Sequence, residues 1–281
     1  MKIIRLLFPS VVGLILASCV TVNYFQVFKA VPVGESVVLD DAVVFENDQC
    51  RILYNFWKEG GDIGFRFENK MDDEIYIDLN ESYFVLNGVA RRYFQNRVFT
   101  YATDRALQRS RGFAPQKASF AGDASPSLHS YRITPSMFSS EMTASGYSVA
   151  FTEEELVCVP GKTMVPVSEF SISQNVIRDC DLLRFPLRSK DVKTKNYTRE
   201  NSPLVFSNRI VYYPGKSGLP VNVENKFYVS SVTNYNDKQM VEYKYEEFCG
   251  QKSPNKKVAF RHEGPDRFFV KYMKTPDSMR R

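Results

Sequence analysis

Histidine is nearly absent from this chain. His129 and His262 are the only two among 281 residues, and neither sits in a pattern that does chemistry. His129 lies in the loop-like stretch Ser127-Leu128-His129-Ser130. His262 is followed by Glu263 and Gly264 with no second histidine four residues on, which excludes the zinc-protease helix. No Gly-x-Ser-x-Gly frame presents a serine nucleophile, so both histidines read as surface residues rather than general bases. Calcium loops of the Asp-x-Asp-x-Asp-Gly type and phosphate-cradling glycine loops are missing as well. Carboxylate pairs do occur, at Asp72-Asp73, Asp78 with Glu81, and Glu246-Glu247. Glycosidase chemistry needs two such groups facing one cleft at about 5–9.5 Å, and spacing along a chain does not establish that. No catalytic residue, metal ligand or cofactor is expected. A formal charge of +5 is too mild to imply a nucleic acid partner.

Long apolar runs are lacking too. The run after Lys2 and Arg5 extends from Leu6 to about Ala17, short of the roughly 20 residues a spanning helix needs and within the about 7–15 of a signal-peptide core. Pro9 and Gly13 interrupt it further. It closes on Leu16-Ala17-Ser18-Cys19, which resembles the lipobox of bacterial lipoproteins. The resemblance implies cleavage before Cys19 and a diacylglyceryl thioether on its sulfur, usually with an acylated amine such as a palmitoyl amide. An ordinary secretory peptide, cleaved without lipidation, is the alternative. One acyl chain anchors marginally and two or three anchor stably, at about 0.8 kcal/mol per buried methylene. Val20-Thr21-Val22 carries no acidic residue; by resemblance to known lipoprotein sorting rules this implies the outer membrane, on its periplasmic side rather than the cell surface. Residues 1–18 then form a signal peptide, 19–35 a tether, and 36–281 one domain. A tether of about fifteen residues at 3.3–3.6 Å each would hold that domain within about 50 Å of the bilayer.

Cys-x-x-Cys pairs are absent, which disfavours zinc and thioredoxin-like redox sites. Beyond Cys19 the chain has Cys50, Cys158, Cys180 and Cys249. An even number in an oxidising compartment predicts at least one disulfide, with three pairings open.

Aromatic residues, by contrast, are abundant, with 22 Phe and 16 Tyr, and these favour strands. A first strand is predicted at Val37 to Phe45. Gln49 to Trp57 alternates with Ile52, Tyr54 and Phe56 on one side. Ile63, Phe65 and Phe67 alternate with polar neighbours, and Ile75, Ile77 and Leu79 do the same. Ser82 to Leu86 and Val89 to Phe94 flank Asn87-Gly88, the strongest short hairpin signal because both turn positions need positive φ. Further strands are predicted at Tyr147 to Phe151, Leu156 to Val159, Met164 to Ile172, Leu204 to Tyr213, Lys226 to Tyr235, Gln239 to Glu246, Lys256 to Phe260 and Arg267 to Met273. Asn236-Asp237-Lys238 would join two of these as a hairpin, and Cys180 to Ser202 reads as irregular. The fold class is an all-β antiparallel sandwich, immunoglobulin-like or related.

Between Thr100 and about Gly146 no period holds, beyond a short helix at Asp104 to Ser110; so long a loop is unusual and often functional. Arg91 to Arg132 holds seven Arg and one Lys against two Asp, followed by Glu153-Glu154-Glu155. Most such runs are solvated loops. The sharper expectation is contact with an anionic envelope component through Arg105, Arg109 and Arg111. Tyr212, Tyr213 and Tyr228, with Tyr235, Tyr243 and Tyr245, offer a second binding surface. Exposed tyrosines stack on sugar rings, although Tyr243 and Tyr245 alternate with charges and so read as inward.

The run Ile63-Gly64-Phe65-Arg66-Phe67-Glu68-Asn69-Lys70, Ile75-Tyr76-Ile77-Asp78-Leu79 through Phe84-Val85-Leu86-Asn87-Gly88, and Cys19 to Phe28 together resemble uncharacterised lipoproteins of gut Bacteroidales, as does Pro203 to Asn208. The shared residues are strand-and-turn grammar and imply no activity. Asp277-Ser278-Met279 is similar to the three-residue O-glycosylation motif of that group, which implies modification of Ser278. The expected role is that of a membrane-anchored envelope protein with a binding or protein-interaction function and no catalysis, its partner an envelope protein or glycan. A glycan-binding module using the tyrosine-rich face is the alternative, and an envelope hydrolase ranks third.

Overall fold

A computed structural model describes residues 22–102 and 148–274, with side chains placed for 22–98 and 152–274. In chain order the strands are β1 (Asn23–Val33), β2 (Val37–Val38), β3 (Val43–Glu46), β4 (Cys50–Tyr54), β5 (Phe65–Asn69), β6 (Ile75–Leu86), β7 (Val89–Arg92), β8 (Val98–Ala102), β9 (Ser148–Thr152), β10 (Leu156–Val159), β11 (Met164–Val167), β12 (Thr194–Asn196), β13 (Val205–Pro214) and β14 (Val221–Asn236). A single helical turn, α1 (Asp237–Met240), precedes β15 (Val241–Phe248), β16 (Gln251–Phe260) and β17 (Arg267–Met273). The fold is all-β and sandwich-like, and every strand pair is antiparallel.

The larger sheet runs β10-β6-β13-β14-β1-β17, with β7 beside β6 and β12 beside β14. The smaller runs β11-β5-β4-β3-β2. Their facing sides carry the residues that alternation selects: Ile52, Tyr54, Phe65, Phe67, Ile75 and Ile77 are all buried, and Phe56 and Ile63 beside the strands join them. Aromatic rings fill the gap, with Phe56 set edge-on against Phe227 at 5.1 Å and Phe28 stacked on Phe268 at 4.6 Å. Such pairs contribute about 0.5–1.5 kcal/mol beyond their buried area. Asn87 and Gly88 take φ of 46° and 83°, as their hairpin requires.

The stretch read as a tether is the main correction. Apart from its first residues it is β1, a central strand with β14 on one edge and β17 on the other. Phe25 and Val27 bury one face under Met240 and Phe269. The other face holds Tyr24, Gln26 and Phe28, all buried. A strand covered on both faces has no polar side, so period-two alternation vanishes. Gln26 is accommodated because the irregular segment after β11 supplies partners: its Nε2 donates to Ile177 O (2.9 Å) and its Oε1 accepts from Ile177 N (2.6 Å). Asn234 and Asn236 hold the same segment by donating to Leu183 O and to Pro186 O and Leu187 O.

Three local expectations also change. The two strands expected from Ile75 to Leu86 are one, β6, with an irregularity opposite Arg209 and Val211 that Asp78 and Ser82 patch by local hydrogen bonds. Asn236-Asp237-Lys238 opens α1 instead of turning a hairpin, with Asn236 as its N-cap through reciprocal bonds with Gln239. The strand expected from Val37 to Phe45 is the pair β2 and β3, joined by Leu39–Ala42.

Candidate functional site

Past Val33 the chain leaves the large sheet. Gly34, at φ 98°, turns it toward the small sheet, where Val37 pairs with Val44. β14 begins further out: β13 pairs with it from Val221 to Tyr228, whereas β1 pairs only with Lys226 to Asn236. Among the described residues no strand covers Val221–Asn225 on the side that β1 has left. The backbone there is an open edge, a ready template for another extended chain. Five residues of edge span about 17 Å.

This edge lies in a groove of about 570 Å³ whose lining includes Val33, Glu35, Ser36, Asn47, Arg199 and Asn222. A second hollow of about 160 Å³ shares Val33, Arg199, Glu224 and Lys226 and continues past Ser207 to Gly88. The groove floor is pre-ordered. Asn225 Nδ2 donates to Tyr54 Oη at 2.7 Å, and Ser36 Oγ donates to Asn225 Oδ1 at 3.4 Å. Glu224 is committed: Arg209 Nε and Lys226 Nζ each lie 2.9 Å from its carboxylate. Burial pushes the Glu224 pKa up, but Lys226 and Arg209 outweigh it and hold the carboxyl below its usual range. Arg199 and Glu35 are both exposed, and neither reaches an ion-pair partner among the described residues. The groove therefore offers backbone groups, amides and two exposed charges of opposite sign. That combination suits a polar, extended ligand carrying both donors and acceptors.

The expected tyrosine platform is not assembled. Tyr212 is 0% exposed, accepting from Asn47 Nδ2 at 3.2 Å and donating to Gln49 Oε1 at 2.8 Å, and burial raises its pKa. Its ring packs on Phe67 between the sheets, out of reach of any sugar. Tyr213 pairs with Tyr76, while Tyr228 pairs with Val205 eight positions away along β13. At about 3.3 Å per residue these two rings stand some 26 Å apart. Tyr235 stacks on His262 at 4.1 Å. Tyr243 and Tyr245, expected inward, are 67% and 52% exposed.

The expected disulfide does not form. Cys50, Cys158, Cys180 and Cys249 are free thiols on four separate parts of the fold. Cys50 sits in the core, where burial pushes its pKa up to about 11, and the other three are exposed. Cys19, the basic residues Arg105, Arg109 and Arg111, the helix at Asp104 to Ser110, His129 and Ser278 lie outside the described residues. The ribbon of β8 and β9 leading toward that basic stretch is pinned at its base. Arg97 bridges Glu153 and Glu169, and Glu153 also accepts from Gln95 N and Arg97 N.

The chain matches no protein-family model, no curated protein and no solved structure. Among the described residues no helix is long and apolar enough to cross a membrane, and no cluster of three His, Cys, Asp or Glu residues could hold a metal ion. Sequence reasoning missed Arg199, Asn222 and the open edge. Val221-Asn222-Val223-Glu224 does alternate, so the strand itself could have been extended back to Val221. Where β1 stops relative to it could not.

Proposed function

We propose that this protein is a lipid-anchored component of the bacterial cell envelope that captures an extended polypeptide segment in the groove beyond Val33. The observation that carries the reading is the open edge of β14 at Val221–Asn225, inside a groove large enough for a strand. Strand addition would supply affinity through main-chain hydrogen bonds, and Arg199 and Glu35 would select side chains by charge. Acylation of Cys19 in the outer membrane, facing the periplasm, is the anchor half of the reading and rests on the lipobox. Ten spacings of β1 separate Asn23 from Val33, about 33 Å. The groove thus opens at the end of the sheet remote from the anchor, where a partner can reach it.

Extended peptides selected from a displayed random library test the groove. A bound strand should slow amide hydrogen exchange across Val221–Asn225. A selected peptide that binds without protecting those amides, or a library that yields none above background, rejects strand addition. Fatty-acid labelling of the wild type, lost in Cys19→Ala, tests the anchor separately.

A further inference from the structure

At the opposite end of the sheet stands a surface that the groove does not use. Among the described residues β15 and β16 pair with each other and with no other strand, closed by Cys249-Gly250 at φ 50° and 77°. Two consecutive positive φ values are the type I′ geometry that matches hairpin twist. At the base, Val241 and Phe260 join the cluster of Phe25, Met240 and Phe269, with Trp57 5.5 Å from Phe260. Val241 pairs with Phe260, Tyr243 with Val258 and Tyr245 with Lys256. Directly opposed residues share a face, so an apolar stripe continues that cluster out along the hairpin. Beyond the base it has no cover among the described residues: Tyr243, Tyr245 and Val258 are exposed. Phe248, past the register shift that follows Tyr245, adds a separate apolar ring at the tip, 81% exposed. An isolated two-stranded hairpin is at best marginally stable in water, and a stripe of this kind needs an apolar partner.

The hairpin springs from the end where the chain enters the fold. Tyr24 pairs with Asn236, α1 follows at once, and Lys274 N donates to Val22 O. Only four residue spacings separate Cys19 from Asn23, no more than about 14 Å of chain. The hairpin spans seven spacings from Val241 to Phe248, about 24 Å. It is longer than the leash. We propose that the β15–β16 hairpin lies in the headgroup layer of the bilayer that holds the acylated Cys19, an inference that rests on the anchor reading above. Its chemistry suits that layer. Tyr places an apolar ring beside a polar hydroxyl at a membrane interface, and Phe248 adds a wholly apolar ring. β16 contributes Lys252, Lys256 and Lys257 and no acidic residue; with Lys244 these lysines outnumber Glu242, Glu246 and Glu247 of β15 by one charge. Lysine stems run along apolar surface while their ammonium groups reach phosphate. Lys256 shares the stripe's face, its Nζ 4.8 Å from the Tyr245 ring centre in a cation–π contact. With two attachments the domain stands upright on the bilayer, groove outward.

The test uses the full chain purified from membranes in detergent and reconstituted into phosphatidylethanolamine–phosphatidylglycerol vesicles. With Cys158→Ser and Cys180→Ser removing the other exposed thiols, Cys249 carries an environment-sensitive fluorophore. The expected result is blue-shifted emission that spin-labelled lipids quench. Both should be lost in Tyr243→Ser/Tyr245→Ser/Phe248→Ser while the protein remains on the vesicles. Emission equal to that of a probe placed by Asp40→Cys overturns the proposal. So does a blue shift that rises with protein density at constant lipid and resists lipid quenchers, which would assign the stripe to a second copy. Mass spectrometry of the N-terminal peptide reports acylation independently. If Cys19 proves unmodified yet the Cys249 probe still enters added vesicles, the anchor reading fails and the hairpin contact stands.

Discussion

At its Asn23 end β1 is enclosed on every side, whereas past Val33 the same sheet opens. At the first end, β14 and β17 occupy both edges, the segment around Ile177 to Leu187 closes one face, and Phe25 and Val27 close the other under Met240 and Phe269. At the second, β1 departs and, among the described residues, leaves β14 with a bare backbone edge, amides on the floor and Arg199 without an ion pair above it. The buried amide side chains are satisfied at both ends, but by different means. Gln26 and Asn234 bond to chain that has been folded over them, while Asn225 bonds only to Tyr54 and Ser36 beneath the groove. The contrast teaches that one sheet can combine a rigid base with a slot left free for a ligand, simply by letting neighbouring strands end at different levels.

The largest effect should ignore the contrast. Phe227 is fully buried and meets Tyr54, Phe56 and Phe206 in the shared core. Phe227→Ala is expected to cost about 3–5 kcal/mol, measured by urea denaturation, with the two ends melting together. Separate transitions would break the description of one sandwich serving both. Gln26→Ala comes next. It strands Ile177 N and O and removes a partner of Asn234, for an expected loss of about 2–3 kcal/mol. Hydrogen exchange should rise in residues 176–187 and stay unchanged at Val221–Asn225.

How much of this was legible follows from where the determining contacts lie. Ile75, Ile77, Phe65, Phe67 and the Asn87-Gly88 turn could be read directly, because alternation and positive φ are local requirements. β1 could not. Its apolar residues face both ways, and the groups that make Gln26 tolerable lie 151 and 208 positions along the chain. Tyr243 and Tyr245 misled for a related reason: alternation shows that residues share a face, not that the face meets a core. The groove was invisible because an open edge is a difference in register between β1 and β13 along β14, and no single stretch encodes it.

A smaller, pH-dependent effect belongs to the enclosed end alone. His262 stacks on Tyr235, and burial, then Arg267 and Arg261, holds its pKa below the usual value. The unfolded chain therefore binds this proton more tightly than the folded one. Its contribution to stability is present above the unfolded pKa of about 6.5 and is lost as the pH falls through the lower folded value. Urea midpoints should decline from pH 7.5 to 5, and His262→Asn should flatten part of that decline. A midpoint that rises on acidification of the wild type, relative to the variant, would reverse the sign and place the imidazole in a different environment.

The smallest expected change in stability is the sharpest test of the contrast. Arg199 reaches no ion-pair partner among the described residues, so Arg199→Ala should shift stability by no more than about 0.5 kcal/mol, as for an exposed surface residue, while weakening any peptide selected on the groove. The variant also probes the spacing between the two ends. Gln26 lies near the enclosed end and Arg199 over the open one. Sites more than about 10 Å apart with no shared partner add within roughly 0.3–0.5 kcal/mol, so the double variant should lose the sum of the single losses. Coupling beyond that would mean that ordering at one end is felt at the other, and that the groove is not a passive gap but a part of the sheet that the base holds in shape.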